Sequence, residues 1–233
     1  MGTSYNPRIV TDGLILCLDA ANKRSYPGAG TTWYDLGKSK YHGTLTNGPT
    51  FDSANKGSIS FDGAGDYAST LSNFLNGLTL YGGITFSAWV NPASLASQGF
   101  VLGAWRQSIS LDQAGLFIIN SGPLIAVADG STAEPGVGVS NSLSVGVWQH
   151  ITGTWQTNRS YRLYKNGDYI GGGTQSGNGF NFSSSGSNFY IGAQKQNNSR
   201  FYNGKMSSIF VYNRALSAEE IKQNYLATKG RFQ

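Results

Sequence analysis

The sequence predicts a mostly β protein, a sandwich with many turns that ends in one short helix. Three observations predict it. Of 233 residues, 32 are Gly, 13 Tyr, 12 Phe and 5 Trp, while only 12% are charged; about a quarter is usual for a soluble domain. Many glycines and aromatics with few charges suit short strands joined by tight turns. Period-two alternation of apolar and polar residues recurs along the chain. The last thirty residues hold almost all the helical signal. The length suffices for one large β domain, and no repeat, heptad or linker divides it.

The elements follow in order. Residues 1–12 read as a polar N-terminal arm with Pro7, and residues 13–233 as a single domain. Leu14 to Asp19 is the first strand. Residues 20–56, rich in Gly, Asn, Ser and Lys, form a long ordered loop region with room for short edge strands around Thr32–Leu36 and Gly43–Asn47. Strands at Ser58–Phe61 and Tyr67–Leu71 flank the turn Asp62-Gly-Ala-Gly-Asp66. In Ile84–Val90, Ile84, Phe86, Ala88 and Val90 share one face, and Thr85, Ser87 and Trp89 share the other. Further strands are expected at Phe100–Trp105, Gly115–Asn120, Leu124–Ala128 and Val147–Gln156, the last with Val147, Ile151 and Trp155 on one face. Asn166-Gly167 joins Tyr161–Lys165 to Asp168–Ile170 as a hairpin, because a type I′ turn needs positive φ at both central residues. Residues 171–187 read as a Gly/Ser/Asn loop, Phe189–Gly192 as a strand and 193–203 as a polar loop. The final strand, Met206 to Tyr212, is bulky and apolar on both faces and is expected to be covered on both sides. Ser217 and Glu220 have capping-box spacing, Leu216 and Ile221 the spacing of a hydrophobic staple, and Ile221 with Tyr225 gives the helix one apolar stripe.

Charge and cysteine use exclude several classes. The net charge is +5. Residues 1–115 carry seven basic and seven acidic groups, and residues 116–233 ten and five. The bases are scattered, which fits a solvated surface and not a nucleic-acid patch. The single cysteine, Cys17, lies in an apolar run and reads as a buried small residue; with no second cysteine there is no intrachain disulfide framework. No stretch is long and apolar enough for membrane insertion. The first twelve residues lack the apolar core of a signal peptide, so the chain is expected to be made in the cytoplasm unless an upstream segment is missing.

The order of signals resembles laminin-G-like domains of the concanavalin A-like lectin/glucanase superfamily. The residues that carry it are Gly13–Ala20, Thr32-Trp-Tyr-Asp-Leu36, Ser60–Tyr67, Ile84–Val90, Trp148-Gln-His-Ile151, Tyr164-Lys-Asn-Gly167, Ile191-Gly192 and Phe201–Tyr225. The resemblance implies an all-β, two-sheet antiparallel jelly-roll sandwich, in agreement with the pattern reading. Domains of this kind resemble those of bacterial surface proteins and of tailed-phage virions, and the missing leader favours the virion.

The chemistry points to binding. A retaining glycosidase of this superfamily needs two carboxylates about 5–5.5 Å apart, hence Asp or Glu at even spacing on a strand. The chain has three glutamates, Glu134 in a Pro/Gly loop and Glu219 and Glu220 in the terminal helix, and no expected strand carries such a pair. His42 and His150 have no oriented acid nearby in sequence. Gly171-Gly-Gly173 lacks the lysine and Ser/Thr of a phosphate loop. The resemblance implies a structural calcium, for which Asp62 and Asp66 are the matching positions, although Ser207 and Ser208 stand where relatives place an acid; the same aspartates also suit a plain turn. Trp105, Arg106, Asn197, Asn198, Arg200 and Tyr202 are the candidate glycan contacts, aromatics for sugar faces and polar groups for hydroxyls. The expected function is therefore a non-enzymatic adhesion or structural module, a capsid decoration or fibre-type protein on a virion surface. Its partners are other virion proteins or copies of itself, with weak binding to cell-surface glycans. The alternatives are a carbohydrate-binding module of a bacterial surface or secreted protein, and a glycosidase.

Overall fold

A computed structural model describes residues 7–70, 82–104, 112–129, 136–174, 188–194 and 198–232. Among the described residues sixteen strands, numbered in chain order, form two eight-stranded antiparallel sheets. The first sheet runs β14 (Asp168–Thr174), β13 (Ser160–Lys165), β12 (Gln149–Gln156), β7 (Gly83–Pro92), β16 (Asn203–Tyr212), β5 (Ser58–Asp62) and β4 (Thr50–Asp52), with β1 (Leu14–Asp19) also pairing β16. The second runs β11 (Gly136–Gly138), β10 (Gly122–Asp129), β9 (Asp112–Ile119), β8 (Gly99–Ala104), β15 (Tyr190–Ile191), β6 (Tyr67–Ser69), β3 (Gly43–Thr46) and β2 (Thr32–Trp33).

The alternation of β7 decides which way the first sheet faces. Ile84, Phe86, Ala88 and Val90 join Ile151, Trp155, Ile209 and Val211 in the main core, against Val101, Leu116, Ile118, Ile125 and Ile191 of the second sheet. Fully burying one such side chain contributes about 1.5–3 kcal/mol. Gly153 of β12 lets the layers meet closely, since a Cβ there would lie 2.8 Å from Ile125.

Three sequence expectations change. The glycine run 171–173 is not a loop but part of β14, paired with β13; its missing side chains let Val139 and Val137 pack against it. Val147 is half exposed and precedes β12, so it shares no face with Ile151 and Trp155. The N-terminal arm is not separate from the domain over its described part. Val10 is buried, its N–H donates to Asn224 Oδ1 at 2.8 Å, and its carbonyl accepts from the Tyr212 hydroxyl at 3.0 Å. Gln223 Nε2 donates to the Arg8 carbonyl at 2.7 Å.

The helix α1 (Ala218–Thr228) forms as its signals require. Ser217 accepts from the Glu220 amide and Glu220 answers with a carboxylate on the Ser217 amide, completing the capping box. Arg214 grips the same carboxylate at 2.6 and 2.8 Å and holds its pKa below the usual range. Leu216 and Ile221 are buried in one cluster with Val10, Cys17, Phe210 and Tyr212. Both faces of β16 are thus covered, one by the core and one by α1 and the arm. Asn166 and Gly167 adopt φ of 53° and 79°, the type I′ hairpin expected.

Candidate functional site

Under α1 the outward residues of β7 and β12 form a sealed polar network. Ser87 Oγ lies 2.8 Å from both His150 Nε2 and Thr152 Oγ1. Trp89 donates its indole N–H to Thr228 Oγ1 at 2.7 Å and stacks on Tyr225 and Phe232 at 5.7 and 4.1 Å between ring centroids. The Ser87–His150 contact has the distance of a nucleophile and its base, yet both residues are about 1% exposed, and among the described residues no carboxylate bonds the imidazole. Burial pushes the His150 pKa down to about 3, so the ring is neutral and structural. The other sequence-marked polar group, Cys17, has its thiol pushed up to about 12 by burial and the nearby Asp19 and Asp35.

The outer face of the second sheet is built differently. Cross-strand register sets Thr44, Ser69, Tyr190, Gly103, Gly115, Ala126 and Gly136 side by side across seven strands. The glycines let larger side chains lie flat: a Cβ at Gly115 would sit 2.9 Å from the Phe117 ring and 3.0 Å from the Phe100 ring. Phe100 and Phe117 meet edge to face at 4.9 Å and are almost wholly buried. Arg200 lies over Phe117 at 5.5 Å, and the Phe100 amide donates to the Arg200 carbonyl at 2.7 Å. On the other side of this cluster Tyr190 and Tyr67, both half-buried, meet edge to face at 5.9 Å, and Asn188 Nδ2 donates to the Tyr190 hydroxyl at 3.3 Å. Two tyrosines with accessible ring surface and an amide beside them present the mixed apolar and polar surface that sugars require.

The sequence-predicted contacts divide. Arg200 belongs to this face and exposed Asn198 precedes it. Trp105, Arg106 and Asn197 lie outside the described residues. Tyr202 is corrected: it is 2% exposed, edge to face with Phe61 at 6.3 Å, with its hydroxyl on the Lys205 carbonyl, so it is a core side chain. Sequence reasoning missed Tyr67, Tyr190 and Asn188.

The Asp62–Asp66 turn is an amide-bonded loop. Asp62 Oδ1 accepts from the Ala64 amide at 2.7 Å, and Asp66 Oδ2 accepts from the Asp62 amide at 3.1 Å. Burial, reinforced by Asp62, raises the Asp66 pKa. Ser207 and Ser208 are not at this turn: Asn203 is the residue opposite Asp62, and Ser207 lies four positions further along β16, about 13 Å away. Calcium takes six to eight oxygens, and among the described residues no third acid, His or Cys joins these two.

One acidic feature escaped the single-strand search. The two-residue connection Asn120-Ser121 (φ 51° and 57°) fixes the β9–β10 register, which sets Asp112 directly opposite Asp129.

With this geometry, relatives can be compared. Residues 62–222 match the laminin-G type family described as the concanavalin A-like lectin/glucanases superfamily. The chain belongs to that superfamily. No curated protein matches it in sequence. Among solved structures, domain 4 of AbnA, an extracellular arabinanase from Geobacillus stearothermophilus in complex with arabinotriose, superposes with a TM-score of 0.68 at 15% identity, over 94% of this chain and 100% of that one. The botulinum neurotoxin serotype D binding domain gives 0.67 at 16% identity, over 93% and 52%. The Trypanosoma rangeli sialidase with the inhibitor DANA gives 0.65 at 19% identity, over 96% and 35%. The chain spans about half the length of the neurotoxin binding domain. At these identities the likeness is one of fold: a lectin-like antiparallel sandwich.

Proposed function

We propose that the protein is a non-enzymatic glycan-binding module, using the outer face of the second sheet between Tyr67, Tyr190 and Asn188 and the Arg200 end. The observation that carries this reading is the half-buried tyrosine pair with its amide, 5.9 Å and 3.3 Å apart respectively. Ring faces take the C–H side of a sugar, and the amide and phenol take hydroxyls. Weak sites of this kind gain from many copies. The resemblance noted in the sequence supports a setting in which copies of the chain stand on a virion surface. A glycan array with the full chain should show hits that Tyr190→Ala abolishes while thermal unfolding stays cooperative. An array without hits, or hits unchanged in Tyr190→Ala, overturns the reading. Recovery of the chain in purified particles tests the virion setting, and its absence there favours a bacterial surface or secreted protein.

A second reading rests on Asp112 and Asp129. The β9–β10 register makes them direct cross-strand partners, a pair of the residue type that glycosidases use. Release of reducing ends from a polysaccharide panel, lost in both Asp112→Asn and Asp129→Asn, would establish hydrolysis; no release from any substrate leaves the binding reading alone.

A further inference from the structure

The first sheet carries a cavity on the part of its outer face that α1 leaves open. It has a volume of about 350 Å³, within the range of small-ligand sites. Register builds it. Ser60, Lys205 and Asn91 sit side by side on β5, β16 and β7. In the next row Asn203 stands opposite Asp62, and its carbonyl accepts from the Ala93 amide at 2.9 Å. One wall is the bend at Gly146 (φ 72°), whose amide donates to the Pro92 carbonyl at 2.8 Å. The Asn91 amide closes that wall with a long bond, 3.3 Å, to the Gly146 carbonyl.

Several of its polar groups lack partners within the protein. Among the described residues the Ser60 hydroxyl and the Asn203 carboxamide make no hydrogen bond within the protein, and the Asn91 side-chain oxygen makes none either. Three short side chains with free donors and acceptors therefore converge on one cavity, beside the exposed Ala93 methyl. The local charge is not positive. Lys205 Nζ is already paired with Asp52, and Asp62 faces Asn203 across the strands. Two carboxylates to one ammonium disfavour an anion. A carboxamide, with one donor and one acceptor side by side, matches two adjacent hydroxyls.

We infer that this cavity is a separate binding site for a single uncharged sugar ring, held by Asn203, Asn91 and Ser60 through its vicinal hydroxyls. It lies on the opposite layer from Tyr67 and Tyr190, so each domain would hold two glycans facing away from each other. The test is nitrogen–proton correlation NMR of the full chain titrated with methyl glucoside, methyl galactoside and glucuronate to tens of millimolar. A neutral glycoside is expected to shift the amides of Ser60, Asn203, Gly204 and Gly146, and Asn203→Ala to weaken that binding about tenfold. Ser60→Ala, a milder change, should weaken it several-fold should Asn203→Ala fail to fold. Tyr190→Ala should leave these shifts intact, which separates this site from the one on the second sheet. Unmoved amides with both glycosides, unchanged affinity in the folded variants, or tighter binding of glucuronate would each overturn the inference.

Discussion

On the first sheet, outward-pointing Trp89, His150 and Tyr212 all end against α1 or the arm; on the second, outward-pointing Tyr67 and Tyr190 are half-buried. Both faces use aromatic rings and polar side chains. On the helix-covered face nearly every polar atom is answered inside the protein, for example Asn224, which accepts from Val10 and donates to Tyr212 at 3.0 Å. Those groups are committed to holding the layers and the termini together. The tyrosine rings of the second face are only partly covered and so retain surface for a ligand. The same residue types therefore serve cohesion or recognition according to what lies above them.

The largest test of that contrast is Trp89→Ala. It removes a ring stacked on Tyr225 and Phe232 together with its bond to Thr228, and should cost about 3–5 kcal/mol in urea unfolding; a loss no greater than that of Tyr190→Ala would erase the distinction between the faces. Acid acts on the same network. His150 has its folded pKa depressed to about 3 from 6.5, so between these values the unfolded chain binds the extra proton. Stability is complete above pH 6.5 and falls as pH drops toward 3, by at most about 1.4 kcal/mol per pH unit. Denaturation midpoints for wild type and His150→Gln across that window should converge as pH falls. Asn224→Ala leaves the Val10 amide without its partner and removes one of the two bonds of the Tyr212 hydroxyl, and should cost roughly 2–3 kcal/mol. Ser217→Ala, at the exposed cap, should cost about 1 kcal/mol. Smallest is Tyr190→Ala, expected to lower stability by roughly 1 kcal/mol or less while removing glycan binding; retained binding would show that this face is not where recognition occurs.

The parts of the fold written locally were legible. The hairpin at Asn166-Gly167 and the capping box at Ser217 depend on residues within a few positions of each other, so pattern alone finds them. β7 was legible because its core face takes only apolar residues while the face under α1 takes Thr85, Ser87 and Trp89. Gly171–Gly173 was not, because its strand character comes from pairing with β13 and from the close approach of Val137 and Val139, none of it local. The candidate site was poorly legible for the same reason. Tyr202 and Tyr190 look alike as loop-flanking tyrosines, and only the three-dimensional packing buries one against Phe61 and leaves the other half open. The Asp112–Asp129 pairing was within reach, since the two-residue connection at Asn120-Ser121 fixes every partner upstream and downstream of it.

The pairing of the first strand with the last has a mechanical consequence. Leu14 lies opposite Tyr212, so the chain enters β1 and leaves β16 at the same end of the pair. Tension on the two termini would load the cross-strand bonds one after another instead of together, because antiparallel bonds run perpendicular to the strands. Peeling would begin with the Arg8 and Val10 contacts to α1 and then travel down β1. A domain wired this way resists poorly when stretched between its ends, and it holds best when anchored at one terminus with the load arriving through its faces.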